Sequence, residues 1–350
     1  MRLTTGICSF FIPFFCTGPG LVSAQSVEQL VAEGLRADST GNYKTAVKLF
    51  SSAIEKEPDL SVAWYNRGVS RMKMKQHSLA LVDLNRCIFL DTGNIDAYYN
   101  RSFAYRKTSN YQFALADISH YLKRRPADKD AYYYLFDLLC EMQEWNDIID
   151  CARHLNSIAG EDDTKIGPDL MAVFFEKAGQ TDSALAAMNL AVQRTPSNTL
   201  LRLERAHMLH RFGKFEQSMQ DLNFFTNMER SESTEKEIRK LRADNFFYLK
   251  DFDAAAVIYT ELIASDTMNS SLKADYGHCL LQLEKYEQAE TILTSAIRLK
   301  NDAPAYAYLG RGIARQNLGR GQDACDDWQK SLLLGEKRAA LYLEKFCKSR

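Results

Sequence analysis

The chain repeats itself every 34 residues, and no other feature constrains its fold as much. Tyr65-Asn66-Arg67-Gly68 returns as Tyr99-Asn100-Arg101-Ser102. Counted from Val27, the window places Gly34 at position 8, Gly41 at 15, Tyr43 at 17, Ala46 at 20, Phe50 at 24, Ala53 at 27 and Pro58 at 32. Shifted to Ser61 it finds Trp64 at position 4, Gly68 at 8 and Ala80 at 20; shifted to Ile95 it finds Tyr98 at 4, Tyr111 at 17, Ala114 at 20 and Pro126 at 32. A fixed period of this length marks stacked units, none of which buries its own faces.

At 350 residues the chain is too long for one compact core, and with only 17 Gly and 7 Pro its composition favours helix. The pattern has a helical reading. Gly41, Gly179, Gly213 and Gly319 sit near the middle of their windows, where a helix end tolerates positive φ. Small residues at 8 and 20 let two antiparallel helices approach. Large residues at 4, 17 and 24 fill the space between repeats, and Pro58, Pro126 and Pro196 stop the second helix.

This pattern resembles the tetratricopeptide repeat. The resemblance implies an all-α fold, an α-solenoid in which helix-turn-helix repeats wind into a right-handed superhelix. Nine repeats are expected, at 27–60, 61–94, 95–128, 129–162, 165–198, 199–232, 236–269, 270–303 and 305–338, with a capping helix at 338–347. The fourth diverges most, with Phe136 at 8 and Ile148 at 20; the sixth has Ser218 at 20 and Phe225 at 27.

Position 7 is Arg in four repeats that also carry Asp at 23: Arg67 with Asp83, Arg101 with Asp117, Arg205 with Asp221, and Arg311 with Asp327. Each pair is 16 residues apart, on facing helices of one hairpin, and is read as a structural salt bridge. Arg242 lacks this partner because Ile258 occupies its position 23.

The resemblance also implies that first helices line a concave groove through positions 2, 5, 6, 9, 12 and 13. The peptide-binding candidates there are Tyr65, Asn66, Lys73, Tyr99, Asn100, Arg106, Lys107, Tyr133 and Tyr134. An amide both donates to and accepts from an extended backbone, Tyr offers rigid area with a polar tip, and Arg suits carboxylates. The competing reading is that the Asn residues brace neighbouring helices and the Tyr residues are packed. The two-carboxylate clamp of some family members needs basic residues that are missing here; of its positions only Asn66 fits.

No P-loop, nucleophile elbow or dinucleotide fingerprint is present, so neither an enzyme nor a cofactor is expected. Glu204, His207 and His210 share a helix face, but without a metal-ligand motif they are read as polar groove residues, and no metal is expected. A net charge of −1 points away from nucleic acid. The expected partner is another protein, bound as an extended peptide or a helix; the alternative is an envelope glycan such as peptidoglycan.

Residues 1–24 read as an export signal. Arg2 precedes the apolar Ile7–Phe15, and Val22-Ser23-Ala24 offers a cleavage site before Gln25. The expected location is the bacterial periplasm or cell surface. The ending Ala324-Cys325-Asp326-Asp327-Trp328, then Gly335 and Cys347, resembles the terminal repeat of exported bacterial tetratricopeptide proteins, which implies a Cys325–Cys347 disulfide. The spacing agrees: the two cysteines lie ten residues before and twelve after Gly335, which puts antiparallel helices about level at roughly 1.5 Å per residue. Cys140 and Cys151 share a hairpin and are left open as a second pair.

Overall fold

The computed structural model describes residues 25–158, 166–299 and 305–347. The export signal expected over 1–24 lies outside them. The described residues form nineteen α-helices and no strand. In chain order the hairpins are α1 (Val27–Ser39) with α2 (Tyr43–Lys56), α3 (Ser61–Lys73) with α4 (His77–Leu90), α5 (Ile95–Lys107) with α6 (Tyr111–Arg124), and α7 (Lys129–Met142) with α8 (Trp145–Ile158). These make one compact body. The second body holds α9 (Pro168–Lys177) with α10 (Thr181–Arg194), α11 (Thr199–Arg211) with α12 (Phe215–Asn223), α13 (Glu232–Tyr248) with α14 (Phe252–Ser265), α15 (Ser270–Gln282) with α16 (Tyr286–Arg298), and α17 (Ala305–Asn317) with α18 (Gly321–Leu333). Helix α19 (Ala339–Phe346) packs on α18. No described helix is long and apolar enough to cross a membrane.

One turn geometry joins the helices of every hairpin. The fifteenth residue of each repeat takes a positive φ between 57° and 79°: four are Gly, but Lys75, Ser109, Gln143, Lys250 and Glu284 do the same with a side chain. The following amide then donates to the carbonyl five residues back, as from Gln76 to Arg71 (2.9 Å) and from Asp251 to Phe246 (2.9 Å). That bond satisfies a carbonyl left over at the helix end and holds the reversed chain in place.

Close approach explains the small residues. Position 20 is fully buried in all nine repeats, including the larger Ile148 of the fourth. A Cβ on Gly34 would stand 2.6 Å from the Phe50 ring, on Gly277 2.5 Å from Leu293, and on Gly312 2.4 Å from Trp328. Position 8 of the first helix is therefore a socket for the large residue sixteen positions on.

The helices depart from the expected repeats in four places, the first being α9, which starts at Pro168 where the fifth repeat was expected from 165. Helix α13 starts at Glu232, four residues ahead of the expected 236. Ser231 caps it by accepting from the Thr234 amide, and Glu232 and Glu235 sit in its first turn, where negative charge is favoured. Helix α12 ends early at Asn223, and Phe225, just beyond it, is buried against Ile238 and Leu241 of α13. The described cap, 339–346, is slightly shorter than the expected 338–347.

Candidate partner-binding face

The Arg–Asp pairs set the frame. Arg67 donates to Asp83 through Nε (3.1 Å) and Nη2 (2.8 Å). Arg101 and Asp117 meet twice at 2.7 Å, Arg205 and Asp221 at 2.7 and 2.5 Å, and Arg311 and Asp327 at 2.9 and 2.6 Å. The Asp side chains are 0–8% exposed, so these are low-dielectric, bidentate contacts.

Two further features escaped the sequence reading. The remaining arginine nitrogen, Nη1, reaches back to the preceding repeat: to Ser51 from Arg67, Asn85 from Arg101, Asn189 from Arg205 and Thr294 from Arg311. Each arginine therefore ties two repeats together as well as its own hairpin. A second arginine also lands on some of the carboxylates, with Arg71 on Asp83 at 2.6 Å and Arg315 on Asp327 at 2.9 Å. Arg71 and Arg315 both occupy position 11, and that recurrence was the available signal.

On the first helices, five of the nine groove candidates (Tyr65, Lys73, Asn100, Arg106 and Tyr134) are bonded to an adjacent repeat. The Asn100 amide donates to the Tyr65 hydroxyl and to the Asp96 carbonyl, both at 3.0 Å. Asn66 donates to the Val62 carbonyl on its own helix at 2.7 Å. Lys73 is ion-paired with Asp38. Arg106 grips Glu141 through Nε (3.2 Å) and Nη2 (2.6 Å). That grip holds the Glu141 carboxyl below its ordinary value, against the opposing effect of burial. Tyr134 is a correction: at 5% exposure it is core, taking the Ser102 hydroxyl at 2.9 Å and stacking on Phe103 at 4.6 Å. Burial pushes its hydroxyl up to about 12, and burial together with Asp96 does the same for Tyr65.

The contacts Tyr65–Asn100, Lys73–Asp38 and Arg106–Glu141 each span 35 residues. They are rungs between successive first helices, and they recur in the second body as Arg211–Glu176 at 2.6 Å. What stays open in the first body is narrower than expected. Tyr133 is 41% exposed, and neither it nor the exposed Lys107 makes a hydrogen bond or ion pair among the described residues. Half-buried Tyr99 and Phe103 stand eight and four residues before Lys107, on the same face of α5, in an aromatic cluster with Tyr121 and Tyr134.

The histidines of α11 are also engaged. His207 meets Glu237 at 2.8 Å and His210 meets Asn245 at 2.7 Å, so they are drawn to different partners on α13. No cluster suited to a metal occurs among the described residues. Cys325 and Cys347 are disulfide-bonded, with 6.0 Å between their Cα atoms, while Cys140 and Cys151 are both free. The Cys151 thiol is instead turned to the Tyr132 carbonyl (3.6 Å).

A family model for the tetratricopeptide repeat matches residues 246–311. Over 215 residues the chain is 27% identical to RNA polymerase II-associated protein 3 of Xenopus tropicalis, covering 57% of this chain and 32% of that protein. The chain thus spans about a third of that relative's length. A solved tetratricopeptide repeat protein from Parabacteroides merdae ATCC 43184 is similar over 73% of this chain and 100% of its own, at 19% identity and TM-score 0.40. The Naa15/Naa10 assembly bound to HypK-THB is similar over 91% of this chain and 66% of its own, at 12% identity and TM-score 0.55. This last likeness concerns the fold alone.

Proposed function

We propose that this chain, a tetratricopeptide-repeat protein by its nine in-register hairpins and the family model matched over residues 246–311, is a non-enzymatic scaffold that holds an extended peptide or a helix of another protein on its first-helix face. The fold supports protein–protein interaction in general. The observation that carries the reading for this chain is the open patch of Tyr133, Lys107, Tyr99 and Phe103, left over after the rungs have engaged Tyr65, Asn100, Lys73, Arg106 and Tyr134. Tyr and Phe supply contact area at low entropic cost, and the free ammonium supplies a directed polar contact.

The proposed location is the bacterial cell envelope, reached by cleavage after Ala24. The Cys325–Cys347 bridge supports an oxidising compartment. N-terminal sequencing of the protein recovered from fractionated cells tests this: a start at Gln25 in the exported fraction is expected, and a retained Met1 in the cytosolic fraction overturns it. Binding is tested by placing a photo-crosslinking residue at Tyr133 and, as a control, at Phe89, which is 74% exposed on α4. The expected result is one protein adduct at position 133 and none at position 89. Equal adducts at both sites, or none at 133, overturn the assignment of the face.

A further inference from the structure

Five of the nine repeats carry Arg at position 7, and one of the five lacks a carboxylate. Arg242 sits where Arg67, Arg101, Arg205 and Arg311 sit, but Ile258 stands in place of Asp sixteen residues on. The guanidinium turns instead to neutral acceptors. Its Nη2 donates to the Leu222 carbonyl at 2.8 Å and to the Thr226 hydroxyl at 3.3 Å. Its Nε is buried without a hydrogen-bond partner, and its Nη1 makes no hydrogen bond among the described residues.

Two more arginines crowd the same place. Arg230 bonds to the Phe225 carbonyl of that turn and pairs with Glu235. Arg239, one helical turn before Arg242 on α13, pairs with Glu261 and lies 3.7 Å from Glu235. Three guanidinium groups thus share two carboxylates, both of which are held by Arg230 and Arg239. The imbalance registers on Arg242. Burial and the neighbouring Arg230 hold its guanidinium below the ordinary value, with Arg239 adding to the effect and Glu235 opposing it. At Arg101 burial pulls the same way, but the bonds and charge of Asp117 outweigh it and the value rises. The rim is open to solvent, with the Arg239 side chain 39% exposed and that of Glu261 49% exposed.

We propose that Arg242, flanked by Arg230 and Arg239, is an oxyanion-binding site: a carboxylate or phosphate group supplied from outside takes the role that an internal Asp plays in the four sister repeats. The guanidinium fork suits both groups, since each presents two oxygens to parallel N–H donors. The site lies at the α12–α13 turn of the second body, apart from the patch proposed for protein binding in the first.

The full chain tests this through its unfolding midpoint in sodium acetate, sodium phosphate and sodium chloride at equal ionic strength. Phosphate also stabilises proteins by exclusion from their surface, so each response is read against variants as well as against chloride. The parent is expected to show a saturable rise over chloride. A rise with acetate alone assigns a carboxylate source, with phosphate alone a phosphate source, and with both the shared chemistry. Arg242→Gln should lose the saturable rise and Arg239→Gln should weaken it. Ile258→Asp should raise the midpoint in chloride and also lose the response, because the slot is filled from within. This last variant keeps the test sharp if Arg242→Gln folds poorly. No saturable rise in the parent, or an undiminished rise in folded Ile258→Asp, overturns the proposal.

Discussion

Replacing Asp83 by Ala should be among the most damaging single changes in the first body, and more so than Asp117→Ala. The Asp83 side chain is fully buried and is gripped by two arginines, Arg67 through Nε and Nη2 and Arg71 through Nη1. Among the described residues Asp117 answers Arg101 alone. Removing either carboxylate strands a largely buried guanidinium, at a cost of roughly 3–5 kcal/mol. At Asp83 a further charge-assisted bond is lost, worth about 1.5–3 kcal/mol, and two cations are left facing each other. Burial and Arg67 already hold the Arg71 guanidinium below its ordinary value despite the opposing Asp83 charge. Asp117→Ala should therefore fall near the bottom of the range and Asp83→Ala at or above its top. Adding Arg71→Met to Asp83→Ala should recover about 1 kcal/mol or more by removing one stranded charge. Urea titration followed by helical circular dichroism measures these differences, with the slope checked for constancy so that midpoints convert to stability. Equal costs for the two Asp changes within about 0.5 kcal/mol, or no recovery on adding Arg71→Met, would refute the two-arginine account.

Three further changes probe other parts of the scaffold. Gly312→Ala places a Cβ 2.4 Å from the indole Nε1 of fully buried Trp328 and should cost about 1–3 kcal/mol; an unchanged urea midpoint would mean the socket is looser than described. Reducing Cys325–Cys347 opens a 22-residue loop and should remove roughly 3 kcal/mol from the terminal hairpin, seen as faster amide exchange in α18 and α19, with equal exchange in both states counting against the bridge. Hydrogen bonds from Arg338 hold the Glu336 carboxyl down at about 2, from an ordinary 4.5, against burial. A depressed carboxylate stabilises the fold above its unfolded value and loses that contribution as pH falls through the folded one. The stability gap between the parent and Glu336→Gln should thus be full above pH 4.5 and close by about pH 2; a gap that does not change with pH argues against the pair.

The architecture was legible because its determinants are local and recur. A small residue at 8 or 20 has one use, close helix approach, and it shows in the sequence wherever Gly34, Gly68 or Ala80 stands. The turns were only partly legible. Gly marks four of them, but the other five reach the same left-handed φ with Lys, Ser, Gln or Glu, held by the bond to the carboxyl-terminal carbonyls of the first helix. Backbone hydrogen bonding outweighs the modest cost of a Cβ there, and no residue type announces it. The start of α13 was misplaced for a related reason: its cap, Ser231, lies outside the 34-residue register on which the other boundaries were counted.

The candidate site was harder to read because two demands fall on the same positions. Positions 5, 6, 12 and 13 project from the first helix, so a residue there suits a ligand or the neighbouring first helix equally well. The Tyr65–Asn100 and Arg106–Glu141 contacts settle that competition in favour of the neighbour, and both join residues 35 apart, one more than the repeat. The extra residue has a geometric cause. Each first helix lies beside the next with a stagger, so position 5 of one meets position 6 of the following, and position 12 meets position 13. A search for partners at the repeat period itself misses every such rung. A search at one residue more separates the side chains that join successive first helices from those, such as Tyr133 and Lys107, that make no such contact among the described residues.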